Sequence, residues 1–270
     1  MKNAITNYEN TFYLEGVAIS GISSVDGSYS LDYKPINILG KGFVKQVIAS
    51  VPTASLSINR YLINNDPIFD LTGDGPNYLA KSTSGGLYYN GSYFSFSGAY
   101  LKSLSVSCSV GEVPQIASEF DIYGNIGPVA NPSGNNAANS IFVPQVKDIT
   151  VTCRDSSTNR VKDFNVDFNC PKNPIYGLTG SNAEYPIEVH SVFPIEVVGS
   201  FTLDIDDYET KKVFDDLTSN GDASFVVRVG KTNEVIFAFT GMNSKIVSEE
   251  VSSSADDVLS VKVSYKTYID

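Results

Sequence analysis

The 270-residue chain carries 30 acidic against 19 basic side chains, a formal charge of −11, which argues against wrapping nucleic acid by neutralising its phosphates. Hydrophobic residues are 42% of the chain, enough for a sizeable core, and 16 Tyr with 15 Phe beside abundant Val, Ile and Ser favour strands over helices. Cys108, Cys153 and Cys170 are odd in number and lack CxxC spacing, so neither a disulfide framework nor a zinc site is indicated and a reducing compartment is expected.

The N-terminal MKNAITNYENTFYLEG has no continuous apolar core of a leader, and no run approaches the ~18 apolar residues of a membrane span. A soluble product made in a cytoplasm is expected. Further along, Tyr29, Leu31 and Tyr33 alternate before Pro35-Ile36 and Leu39-Gly40, a strand ending at a Pro-Gly turn. Val47, then Ser55-Leu56-Ser57-Ile58 and Tyr61, continue the strand pattern and lead into Phe69-Asp70-Leu71-Thr72. Pro67 limits Asn59 to Thr72 to a short or irregular helix. Phe94-Ser95-Phe96-Ser97-Gly98 and a final alternation of Ile116, Phe120 and Tyr123 close this half. Asn125 to Gln145, rich in Asn, Gly, Pro and Ala, reads as a connecting loop.

After that loop the same order returns. Phe164, Val166 and Phe168 precede Pro174-Ile175, Leu178 and Gly180. Val192, Ser200-Phe201-Thr202-Leu203 and Tyr208 follow, leading to Phe214-Asp215-Asp216-Leu217-Thr218. Phe237-Ala238-Phe239-Thr240-Gly241 echoes the Phe94 stretch with Lys245 in register with Lys102. Val261, Tyr265 and Tyr268 match the last strand. The near-constant spacing of these equivalents indicates two diverged copies of one unit. The expected fold is mainly β: two tandem antiparallel sandwich or barrel domains, residues 1–124 and 146–270, joined by a loop over 125–145. A short helix flanks each, the second over Asp204 to Asn220, where Tyr208, Val213, Phe214 and Leu217 take helical spacing.

The chemistry-bearing residues are sparse. His190 is the one histidine, and in Glu188-Val189-His190-Ser191-Val192 it reads as a strand residue rather than a proton shuttle. Asp204, Asp206, Asp207 and Glu209 lack the mid-loop glycine and closing glutamate of a calcium loop. Glu249-Glu250 and Asp256-Asp257 read as turn or rim charges. Gly40-Lys41-Gly42 and Gly73-Asp74-Gly75-Pro76 match no phosphate-loop pattern and read as hairpin turns. With no Trp, the usual sugar-stacking residue of a paired-carboxylate glycosidase is missing. No catalytic residue, metal site or cofactor is assigned, and the chain is not expected to be an enzyme.

The first half, SSVDGSYSLDYKPINILGKGFVKQVIASVPTASLSINRYLINNDPIFDLTG followed by YFSFSGAYLKSLSVSCSVGEVPQIASEFDIYG, resembles tail tube and related virion proteins of tailed bacteriophages. The second half joins this resemblance through the internal repeat. The resemblance implies β-sandwich domains with a flanking helix, six of which close into a ring around a lumen, and rings that stack. Two domains per chain then imply a homotrimer with pseudo-sixfold symmetry, located in the virion. Genomic DNA would pass through the lumen without specific binding, and a sheath, tape measure and baseplate or neck proteins would be partners. Loops Gly73 to Gly91 and Gly40 to Ser50 become candidates for inter-ring contact, with Tyr78, Lys81, Tyr88 and Tyr89 in the first and Lys41 and Lys45 in the second. Thr218 to Glu234 is the second half's counterpart of the longer loop. Alternative readings are a baseplate hub, distal tail or tail terminator ring of the same fold, and a carbohydrate-binding or adhesive β module.

Overall fold

A computed structural model describes residues 10–36, 46–49, 51–64, 68, 81–128, 130–134, 142–153, 156–157, 160–177, 185–204, 223–231, 234–253 and 259–269. Among them the elements are antiparallel strands and one 3-10 turn at Val146–Asp148, so the chain is mainly β, as its composition indicates. The N-terminal half supplies β1 (Asn10–Leu14), β2 (Val17–Ile19), β3 (Ile22–Ser30), β4 (Tyr33–Ile36), β5 (Gln46–Ala49), β6 (Thr53–Tyr61), β7 (Thr83–Tyr89), β8 (Ser92–Ser109), β9 (Gln115–Ile122) and β10 (Ile126–Gly127). The C-terminal half supplies β11 (Ile149–Cys153), β12 (Ser156–Ser157), β13 (Val161–Asn169), β14 (Lys172–Ile175), β15 (Glu188–Ser191), β16 (Ile195–Asp204), β17 (Ala223–Lys231), β18 (Glu234–Ser252) and β19 (Ser260–Ile269).

Alternation writes these strands. Along β16 every second residue, from Ile195 to Leu203, is buried while its neighbours are half-exposed, the mark of a sheet with one face on a core. Turn residues set the hairpins. Glu15-Gly16, between β1 and β2, and Asn90-Gly91, between β7 and β8, both take positive φ at two successive positions, the two-residue connection whose twist matches the flanking strands.

The hydrogen-bonded strand order of the N-terminal half is β3-β6-β9-β8-β7-β1-β2, and that of the C-terminal half is β13-β16-β19-β18-β17-β11-β12. The two orders match position by position. Each half also sends out a two-stranded hairpin, β4–β5 or β14–β15, after its first strand in that order. Local irregularities recur at matching places. A bulge lies between Ile22 and Ser24 and between Val161 and Asp163, between Leu101 and Ser103 and between Ile246 and Ser248, and between Thr83 and Gly85 and between Ala223 and Phe225.

The long strand of each half serves two layers. Residues 92–99 of β8 pair with β7, and residues 99–107 pair with β9, with Gly98 at positive φ at the handover. The core includes Phe12, Leu14 and Ile19 of β1 and β2 and Leu56, Ile58 and Phe120 of β6 and β9. Phe12 stacks on Phe96 at 6.2 Å. In the C-terminal half Phe239 meets Phe168 edge-on at 5.5 Å and stacks on Tyr265 at 6.5 Å. The halves are joined by strand pairing: β8 and β13 run antiparallel from Ser109 opposite Asp163 to Ser103 opposite Asn169, and Val106 and Val166 opposite each other are fully buried.

Several expectations are corrected. Residues 83–89 are not a loop; they form β7, hydrogen-bonded to β1 on one edge and β8 on the other. Much of the counterpart Thr218 to Glu234 is likewise strand, β17. Pro35 and Pro174 stand inside β4 and β14 rather than at turns, in two-stranded hairpins where a missing donor is tolerated. Asn59–Tyr61 end β6 instead of opening a helix, and Glu249-Glu250 lie within β18 rather than at a turn. The loop over 125–145 starts with β10, which pairs with β8, and Phe142 exchanges hydrogen bonds with Asn64. Among the described residues neither expected flanking helix is seen as an element, though Ile68 is helical in conformation; Asp204 ends β16, and residues 205–220 lie outside the described residues, as do 65–67 and 69–72.

Candidate functional site

One face of the sheet running β3-β6-β9-β8-β13-β16-β19-β18 is a broad, continuous surface. Its strands turn apolar side chains to the core and short polar ones outward. Hydroxyl pairs cross neighbouring strands: Ser28 with Ser55 at 2.8 Å, Ser30 with Thr53 at 2.7 Å and Ser252 with Ser260 at 2.7 Å. Across the β8–β13 junction the Ser105 hydroxyl donates to the Asn165 side-chain oxygen at 3.0 Å, and the Asn165 amide reaches Asp167. The face is therefore continuous through the junction.

Carboxylates outnumber amines on this face, with Asp26, Glu119, Asp121, Asp167, Glu196 and Glu250 against Lys102, Lys245, Lys262 and Lys266. Two of these lysines are engaged by carboxylates. Lys102 Nζ donates to Glu119 at 2.8 Å and lies 3.8 Å from Asp121, and Lys266 Nζ sits 2.7 Å from Glu196. The hydrogen bond to Glu119 raises the Lys102 pKa against partial burial, while burial raises the Asp121 carboxyl above its ordinary value despite the Lys102 charge. Burial, with Asp121 beside it, pushes the Tyr123 phenol up to about 12. Next to this group the Cys170 amide donates to the Lys102 carbonyl at 2.8 Å, tying the two halves. Burial drives the Cys170 thiol up to about 11 and the Lys172 amine down.

Among the described residues both ends of the long sheet are open. β3 is hydrogen-bonded to β6 on one side, and among the described residues nothing pairs with its other edge. β18 pairs with β17 over its first half and with β19 over residues 245–252, leaving the second edge of that latter stretch without a strand among the described residues. Exposed apolar side chains gather there: Tyr29 on β3 and Val247 and Val251 on β18 are each more than half exposed.

The sequence-derived contact candidates are not brought together by the described residues. Tyr88 and Tyr89 stand on β7, opposite Tyr93 and Ser92, and Lys81 is exposed just before that strand. Tyr78, Lys41 and Lys45 lie outside the described residues, as do the two glycine turns at 40–42 and 73–76. His190 is on β15, as its pattern indicates, with Nε2 3.3 Å from the Glu188 carboxylate. Asp204 pairs with Lys162 at 2.6 Å. Lys245 is not the counterpart of Lys102: the shared bulge places Val247 there, and Lys245 stands opposite Lys266. Sequence reasoning missed the two open edges, although Tyr29 and Val251 gave a signal as large apolar residues in otherwise Ser-, Asp- and Glu-rich strands.

Among the described residues no three or more His, Cys, Asp or Glu side chains are grouped to hold a metal, and no helix is long and apolar enough to cross a membrane. No family model matches the chain, and no curated protein matches it.

Proposed function

We propose that the chain is a non-enzymatic structural subunit made of two copies of one β domain, which assembles with itself into rings of three chains that stack as a phage tail tube. The observation that carries this reading is the unbroken sheet from β3 to β18, built twice from the same strand order and presenting one polar face along its whole width. A sheet of that kind, closed on itself through further copies, removes its exposed edges and encloses a lumen. Three chains supply six domains, the number that the resemblance to tail tube proteins implies.

The polar face suits a conduit wall. Serine hydroxyls and an excess of carboxylates over lysines, two of which carboxylates engage, disfavour phosphate oxygens, so DNA would slide past with little of the counterion release that drives binding. Negative-stain electron microscopy of the purified chain at high concentration tests the reading. Hollow rings with a sixfold outline, stacked into tubes, are expected. Particles without a lumen at every concentration contradict it, and rings that never stack point to a hub or terminator position.

A further inference from the structure

The β8–β13 junction inside the chain is a template for a second junction that the described residues leave open. β3 occupies in the first half the place of β13 in the second, and β18 occupies in the second half the place of β8 in the first. The β8 edge that receives β13 therefore has its counterpart in the open edge of β18. The edge that β13 offers to β8 has its counterpart in the open edge of β3. We propose that β3 of one chain pairs antiparallel with residues 248–252 of β18 in a second copy, so that the same seam recurs between chains.

The shared bulges fix the register. Val161 and Ile22 stand at the same step before their bulges, as do Leu101 and Ile246. Within the chain Asn165 faces Ser107, Val166 faces Val106 and Asp167 faces Ser105. Transferred through the bulges, Asp26 faces Ser252, Gly27 faces Val251 and Ser28 faces Glu250 across the new seam. No like charges stand directly opposite, and the polar face continues across the seam, but the Ser105–Asn165 contact of the inner seam transfers to Glu250 diagonally beside Asp26, a like-charge pair that weakens the outer one. Val251 is 58% exposed whereas its counterpart Val106 is fully buried under β13; the seam supplies the missing cover.

The two seams differ in strength. The inner one sets Phe164, Val166 and Phe168 against Cys108, Leu104 and Val106, while the outer one offers Val25, Gly27 and Tyr29. Asp26, Glu249 and Glu250 add charge beside the open edges, a device that restrains indiscriminate strand addition. Assembly through the outer seam is accordingly reversible and concentration-dependent, whereas the inner seam is permanent. Because the two edges are different surfaces, the contact is heterologous and either closes into a ring or runs on as a filament.

This seam deepens the ring reading, and only its closure rests on that reading. Two double variants of the full chain test it, Ser28→Cys with Glu250→Cys and Gly27→Cys with Val251→Cys, which sample the two alternating classes of antiparallel pair. Under mild oxidation at assembling concentration, at least one should give chain-to-chain disulfides ending at a closed three-chain species. The pair shifted by two residues, Ser28→Cys with Ser252→Cys, should cross-link roughly tenfold less. Each single-cysteine variant reports background from the native thiols, of which Cys108 and Cys170 are buried with raised pKa. Circular dichroism checks that each variant keeps its strands. Rings without cross-links from either folded pair, or equal cross-linking of the shifted pair, overturn the seam but leave the ring reading standing. An open ladder without a closed species supports the seam and defeats ring closure; neither cross-links nor rings defeat both.

Discussion

Gly199 on β16 stands opposite Tyr265 on β19, and the tyrosine ring lies where a side chain on Gly199 would point. The equivalent pair in the other half is Leu56 opposite Phe120, both buried. The two halves thus fill the same space differently, a large residue against none in one and two apolar residues in the other. A methyl on Gly199 would collide with the Tyr265 ring, and overpacking of a filled core typically costs about 1–3 kcal/mol. Gly199→Ala is expected to lower the unfolding free energy by that amount, read as a lower urea midpoint, and adding Tyr265→Leu should recover part of it. An unchanged midpoint for the single variant would refute this account of the packing.

Gly27 on β3 shows the same economy of side chains with the opposite consequence, since a Cβ there meets only ordinary van der Waals neighbours, Leu56 and Phe94 at 3.8 Å. Gly27→Val recreates, beside Val251 of the next chain, the Val166–Val106 pair of the inner seam. A good cross-strand pair contributes about 0.2–1 kcal/mol, so the concentration needed for assembly should fall by up to roughly fivefold, read by light scattering against concentration. No change would place the seam elsewhere. At this level the sequence was legible in part. Ile116 and Phe120 do occupy the positions of Val261 and Tyr265. The bulged hairpins, however, put Ile58, not Leu56, in the place of Phe201, and Phe94, not Phe96, in the place of Phe239. A slip of two residues keeps every side chain on its face, so a period-two pattern alone cannot detect it. β7 was missed because Gly85-Gly86 reads as a loop, whereas close approach of the Tyr13 and Phe94 backbones is what requires those glycines. The open edges were invisible for a related reason: alternation reports faces, and pairing partners along an edge appear only once the strands are placed.

Over the whole molecule, the strand order repeats and the inner seam joins the two repeats into one 15-stranded sheet among the described residues. Its ends, β3 and β18, are complementary by the same relation that joins its middle. The polar face, the exposed Tyr29 and Val251 and the matching registers all follow if a further copy continues the sheet at each end. A closed ring would leave neither of these edges uncovered, and its symmetry would be set by how many repeats complete the turn. The most direct test is the mass of the smallest assembled species, measured by native mass spectrometry across a concentration series. A closed species of three chains, in reversible exchange with single chains, is expected. A chain that stays monomeric at every concentration, or that forms only symmetric pairs, would contradict the account.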